Sequence, residues 1–178
     1  MRKGAAVKVR LDDIPPEGLE VEFRDNRATA GDLGPQVCGL PSAPWVRVCL
    51  ERRGDLVLGK GRYRSKVEVA CSRCLRPGEL DLEGPVEWLF RPPEPAAGDE
   101  IQLGEDELDV TFYQDGELDL AQALRDELGL ALPIAPLCRD DCPGLCPACG
   151  KPLEDGACQC RPREIDPRWA KLAELDKQ

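Results

Sequence analysis

Eight of the ten cysteines in this 178-residue chain fall into four close pairs: Cys71 with Cys74, Cys138 with Cys142, Cys146 with Cys149, and Cys158 with Cys160. Zinc takes a tetrahedral shell of soft donors, and two thiols one to three residues apart can reach one ion from a single tight turn. Four pairs supply two such shells, so the expected cofactor is zinc, two ions per chain. The sequence contains no histidine, and any site must therefore be built from cysteine alone or with a carboxylate. Pro143, Gly144, Pro147, Gly150 and Pro152 surround the last pairs and favour the turns such sites need.

Two other fates of paired thiols are open. Disulfides need an oxidising compartment, and the opening residues Met1 to Val7 lack the apolar core of a secretory signal. No apolar run approaches the roughly 20 residues that cross a bilayer. The expectation is a cytoplasmic protein with no membrane partner, where paired cysteines are metal ligands or redox centres. A redox role would fall on Cys71 and Cys74, with Arg73 and Arg76 lowering a thiol pKa. Redox pairs usually open a helix after a strand, however, and this pair falls in a turn. Cys38 and Cys49 have no close partner and read as ordinary packed or exposed thiols.

The ligands can be partitioned in two ways. Cys146, Cys149, Cys158 and Cys160 close easily into a compact ribbon, which leaves Cys71 and Cys74 to join Cys138 and Cys142. The alternative groups Cys138, Cys142, Cys146 and Cys149, and sends Cys71 and Cys74 to Cys158 and Cys160.

The elements that must position these thiols are mostly strands. From Gly61 to Ala70, Tyr63, Val67 and Val69 alternate with Arg62, Arg64, Lys66 and Glu68, the period of a half-buried strand. After a Pro77-Gly78 turn, Leu80, Leu82, Val86, Trp88 and Phe90 alternate with Glu79, Asp81, Glu83 and Glu87. The pair reads as a hairpin with Cys71 and Cys74 at its tip. Further strands are expected at Ala6–Leu11, Leu19–Phe23, Trp45–Arg52, Leu56–Leu58 and Leu108–Tyr113. The period then becomes helical at Leu120, Leu124 and Leu128, with Asp119 and Gln122 as a capping box and Gly129 at C′. Residues 130–137 should run extended because prolines interrupt them. Asp166 and Pro167 should open a short terminal helix with Trp169, Leu172 and Ala173 on its apolar face.

The fold class expected is α+β, mainly antiparallel sheet with one central helix, a zinc-ribbon-like C-terminal segment and a short terminal helix. Its domains would be a β-rich core over residues 1–137, containing the helix 119–129, and a cysteine-rich zinc-binding segment with the terminal helix over residues 138–178.

Net charge is −10, unevenly spread. Residues 47–76 carry nine basic and three acidic side chains, a balance of +6, and residues 77–128 carry two basic and sixteen acidic, a balance of −14. Arg47, Arg52, Arg53, Arg62 and Arg64 could line phosphates of an RNA. Equally, Arg62, Arg64 and Lys66 could balance Glu79, Asp81 and Glu83 across the hairpin. The acidic stretch suits a basic protein partner. With no histidine base, no phosphate loop and no nucleophile motif, the chain is not expected to be an enzyme or to take a small-molecule substrate.

Several of these motifs occur together in a known family. Cys71-Ser72-Arg73-Cys74-Leu75, the acidic lead-in to Leu118-Asp119-Leu120, Leu130-Ala131-Leu132-Pro133, Cys142 through Gly150, and Asp166-Pro167-Arg168 resemble the YceD family, the large ribosomal RNA subunit accumulation proteins. The resemblance covers roughly residues 45–178. It implies a ribosome biogenesis factor that supports accumulation of large-subunit ribosomal RNA, with the RNA precursor or a basic large-subunit ribosomal protein as partner. A zinc-stabilised protein adaptor without RNA contact is the alternative.

Overall fold

Two long alternating runs dominate the chain, and in the computed structural model, which describes residues 8–93, 110–156 and 158–160, they form one hairpin. Its strands, here β5 (Leu56–Ala70) and β6 (Pro77–Arg91), are 15 residues each. They pair antiparallel without a slip from Val57↔Phe90 to Ala70↔Pro77. Val57, Tyr63, Val67, Leu82, Val86, Trp88 and Phe90 are buried on one face, while Arg62, Arg64, Asp81, Glu83 and Glu87 are exposed on the other. A one-residue slip would exchange those faces, so burial of one side pins the register.

The remaining elements are β1 (Lys8–Arg10), β2 (Leu19–Arg24), α1 (Ala30–Leu33), β3 (Val37–Gly39), β4 (Trp45–Arg53), β7 (Val110–Phe112), β8 (Glu117–Asp119) and α2 (Leu120–Ala131). The main sheet runs β2-β4-β5-β6-β7, with β3 also on β5, and β1 with β8 forms a separate antiparallel pair. Strand β4 covers the first half of β5, from Arg53↔Leu56 to Trp45↔Arg64. Strand β3 covers its end, at Glu68 and Val69. At Gly61 the backbone of β4 comes so close that a Cβ would lie 2.0 Å from the Arg47 carbonyl oxygen. Only glycine fits there.

Helix α2 closes the core with Leu120, Ala121, Ala123, Leu124 and Leu128. The Trp88 indole donates to Glu127 Oε2 at 3.2 Å, joining sheet to helix. A nearly buried ion pair, Arg125 Nε to Asp25 Oδ2 at 2.8 Å, ties the end of β2 to the same helix.

The sheet is mainly antiparallel, as expected, with β7 alone parallel to its neighbour β6 among the described strands. Several other expectations need correction. A second helix exists: α1 is one turn long, opened where the Thr29 N–H and hydroxyl both donate to Asp32. Helix α2 does not stop at Gly129 but continues to Ala131, and Leu132 is its extended C-cap. Gly129 is absent from the residues with positive φ. The stop comes from Pro133, which forces the residue before it out of helical geometry. The extended stretch is thereby shortened at its start. Asp119 does cap the helix, accepting from the Gln122 N–H at 3.0 Å, but the Gln122 amide turns forward to Asp126 and the box stays half-made. Strands β3 and β8, three residues each, had no readable period. The terminal helix at Asp166, and residues 6–7 and 108–109 of the expected first and last strands, lie outside the described residues.

Candidate metal centres

The turn between β5 and β6 begins at Cys71. Its N–H donates to the Arg76 carbonyl at 2.9 Å, and the Leu75 N–H donates back to the Cys71 carbonyl at 2.9 Å. Leu75 takes a left-handed φ of 60°, which lets the chain fold back so that both sulfurs of the pair point the same way. The second knuckle repeats this: the Gly150 N–H donates to the Cys146 carbonyl at 2.8 Å, with φ of 71° at Gly150.

Residues leaving α2 pass beside the first knuckle, where the Ser72 N–H donates to the Pro136 carbonyl at 2.8 Å. This carries Cys138 and Cys142 onto Cys71 and Cys74, and the four sulfurs lie within 4.8 Å of one another. Cys71 to Cys142 and Cys74 to Cys138 are each 3.8 Å. A metal–sulfur bond of about 2.3 Å in a tetrahedron gives an edge of about 3.8 Å, so the donor set already has the spacing of a coordinated ion. Cys71, Cys74 and Cys142 are buried and Cys138 is exposed. Cys146, Cys149, Cys158 and Cys160 form the other cluster, also within 4.8 Å. Cys146 is buried, and Cys149 and Cys160 are exposed. The rival grouping of Cys138 and Cys142 with Cys146 and Cys149 is not the one formed. All ten cysteines are free thiols, and Cys38 and Cys49 are exposed.

The two centres are interlocked. Arg73 in the first knuckle donates to the carbonyls of Asp140 and Cys142 at 3.1 and 3.0 Å. A Cβ on Gly144 would meet the Arg73 carbonyl at 3.1 Å. Glu154, on a short 3-10 turn at Leu153–Asp155, pairs with Arg76 at 3.0 Å and also with Arg139.

Backbone amides prepare the thiols for a cation. The Cys138 N–H, then that of Cys74, hold the Cys71 thiol down at about 6. The Cys158 thiol, then the Cys149 and Ala148 N–H groups, hold Cys146 down at about 6. The last proton is hard to remove: the Cys142 thiol and burial push Cys138 up to about 12, and Cys149 and Cys158 push Cys160 up to about 12. Four thiolates repel one another unless a positive ion sits among them, and a divalent soft metal answers that charge. Arg73 and Arg76, which a redox role would use to lower a thiol pKa, are engaged with carbonyls and Glu154. The chemistry these clusters offer is metal binding that ties the hairpin tip to the chain leaving α2.

The basic residues are dispersed differently from their sequence grouping. Arg47, Arg53, Arg62 and Arg64 share the outer face of the sheet, whereas Arg52 has the opposite parity and caps the Leu11 carbonyl at 3.1 Å and Asp12 at 3.4 Å. Arg64 pairs with Glu83 at 3.3 Å, and Lys66 with Glu79 at 3.1 Å and Asp81 at 3.7 Å, so this part of the stripe does balance charge across the hairpin. Arg53 pairs with Glu51 at 3.5 Å, and Arg47 with Glu20. Arg62 stands directly opposite Arg47 on β4 and opposite Pro85 on β6. Trp45, on this same face, was not among the residues singled out; it opens β4 opposite Arg64, a position only the register reveals.

Fold and clusters define an α+β protein whose main hairpin ends in an all-cysteine, metal-competent cluster, with a second such cluster locked against it. Residues 59–176 match the family described as Large ribosomal RNA subunit accumulation protein YceD. The chain belongs to the YceD family. It is 40% identical to an uncharacterized protein of Mycobacterium tuberculosis over 89% of this chain and 75% of that one. It is 26% identical to the chloroplastic large ribosomal RNA subunit accumulation protein YCED homolog 1 of Zea mays, over 79% of this chain and 59% of that one. With the YceD protein of Haemophilus influenzae it shares 36% identity over 46% of this chain and 45% of that one. No solved structure matches the chain. No helix among the described residues is long and apolar enough to cross a membrane.

Proposed function

We propose that this protein supports accumulation of large-subunit ribosomal RNA by binding the RNA precursor directly, through phosphate contacts on the outer face of the sheet, with zinc in both cysteine clusters as structural ions. The observation that carries the RNA contact is the Arg47–Arg62 pair. Two exposed arginines directly opposite across neighbouring strands repel, and no carboxylate of β6 stands opposite Arg62. Charge balance accounts for Arg64 and Lys66, and for Arg47 on its β2 side, where Glu20 pairs with it and Glu22 faces it; it leaves Arg62 with no carboxylate directly opposite, and a phosphate placed between the two guanidinium groups suits that row.

The protein acts by binding and not by catalysis, in the cytoplasm, and the clusters hold the surface in shape. A second reading, an adaptor for a basic ribosomal protein, is favoured by the acidic outer face of β6, where Glu79, Asp81, Glu83 and Glu87 are exposed. Arg47→Gln/Arg62→Gln separates the two. On the RNA reading, affinity for a large-subunit RNA precursor falls and the salt dependence flattens because fewer counterions are released, while stability changes little, because the repulsion removed is offset by the lost, exposed Arg47–Glu20 pair. Unchanged affinity and slope would transfer the function to the acidic face.

A further inference from the structure

The main sheet is incomplete at one place. Strand β4 accompanies β5 only as far as Arg64, and β3 takes over only at Glu68. Ser65, Lys66 and Val67 therefore face no strand on that edge among the described residues. Residues 40–44 cross the gap and leave an open recess of about 640 Å³, within the range of about 300–1,000 Å³ usual for small-ligand sites.

Its lining combines unlike groups. Ser65 contributes only its place on the uncovered edge: it has the parity of buried Tyr63 and Val67, so its hydroxyl, buried and without a hydrogen-bond partner among the described residues, turns to the core face, away from Trp45 and Arg64. Trp45 forms a wall, its ring fixed by a hydrogen bond from Nε1 to Glu22 Oε1 at 3.0 Å. Arg24 and Arg64 line it as well, the first reaching the Ala43 carbonyl at 3.5 Å and the second Glu83 at 3.3 Å, with Asp81 and Glu83 also among the lining residues. Inorganic phosphate would use the cations and leave the indole idle. An apolar ligand would waste the charges. A nucleotide uses every group: base on the indole, phosphate at the arginines, amino groups toward the carboxylates. The next row on the same face, two residues along each strand, is the Arg47–Arg62 pair, about 7 Å away by strand rise. That is on the scale of one step along an extended polynucleotide.

We infer that the recess holds one unstacked nucleotide of a single-stranded RNA, with its base on Trp45 and its phosphate between Arg24 and Arg64. This rests on the RNA-binding reading above and adds Trp45, Arg24 and Arg64 to it. A duplex keeps its bases stacked and cannot present one to the indole, so single strands are the preferred class.

The test uses the full-length, metal-loaded protein, titrated with short unstructured single-stranded RNA, with a duplex of the same sequence, and with free nucleoside 5′-monophosphates. Expected are a preference for the single strand, a loss of about tenfold or more in Trp45→Leu from the missing stack, and a weaker, less salt-dependent interaction in Arg24→Gln. Melting temperature and metal content verify folding. Should Trp45→Leu misfold, Arg24→Gln and Arg64→Gln carry the test, each expected to weaken single-strand binding. Wild-type affinity in the correctly folded variants, a preference for duplex, or tighter binding of monophosphates than of oligomers overturns the assignment. Undiminished single-strand binding by the recess variants, with a continued requirement for Arg47 and Arg62, removes the recess and leaves the phosphate surface standing. No RNA binding by the wild-type protein removes both.

Discussion

Leu75 and Gly150 occupy the same position in two copies of one turn: each follows the second cysteine of a pair, each has a left-handed φ, and each donates its N–H to the carbonyl of the first cysteine. Glycine adopts this φ freely, whereas a side chain there costs about 1–2 kcal/mol. The Leu75 side chain is 65% exposed and recovers little by packing. Leu75→Gly should therefore stabilise the metal-loaded protein by about 1 kcal/mol, and Gly150→Leu should destabilise it by a similar amount. Denaturant melts of both variants check this; a loss of stability in Leu75→Gly would show that its side chain packs against something essential.

Metal analysis tests the clusters. Protein purified under reducing conditions should carry two zinc ions, one per four-cysteine group. Cys71→Ser and Cys142→Ser should each lose the same ion, and Cys149→Ser and Cys160→Ser the other. Losing the first should be more damaging, because that ion joins the hairpin tip to the chain leaving α2, across a sequence separation of 71 from Cys71 to Cys142. Binding free energy in such sites is folding free energy, so chelation should lower the melting temperature of the wild-type protein.

The Asp25–Arg125 pair is nearly buried, with side-chain exposures of 4% and 21%. Removing one partner strands the other charge, so Asp25→Ala should cost about 3 kcal/mol. Replacing both with apolar residues should cost far less. A double-mutant cycle in denaturant measures the coupling.

Glu127 has its carboxyl pushed above the usual carboxylate range by burial, against the opposing hydrogen bond from Trp88. An acid whose folded pKa is raised binds its proton more tightly when folded, so its contribution to stability is greatest below the unfolded pKa and declines as pH rises through the folded pKa. Glu127→Gln keeps an oxygen acceptor for the Trp88 indole and removes the charge. It should raise stability at neutral pH and flatten the fall in stability between mildly acidic and neutral pH. An unchanged pH profile would mean that the Glu127 carboxylate is ionised in the fold at no cost.

The sequence by itself determined the features that depend on neighbouring residues. Alternation along 61–70 and 80–90 identified the hairpin, because one face of a strand must be buried. The helical period of Leu120, Leu124 and Leu128 identified α2, and the cysteine spacings identified the knuckles. Three-residue strands such as β3 and β8 are too short for a period, and their pairing is decided by what lies beside them. Gly129 looked like a helix end because glycine often is one, yet α2 continues until Pro133 makes continuation sterically impossible. Which cysteine pairs share a cluster, that Arg52 leaves the face of its neighbours, that Arg47 meets Arg62, and that Trp45 stands opposite Arg64 beside the uncovered edge of β5 were decided only by the tertiary structure. Each depends on register and chain path between distant segments, and those follow from burying the core as a whole, not from any local pattern of residues.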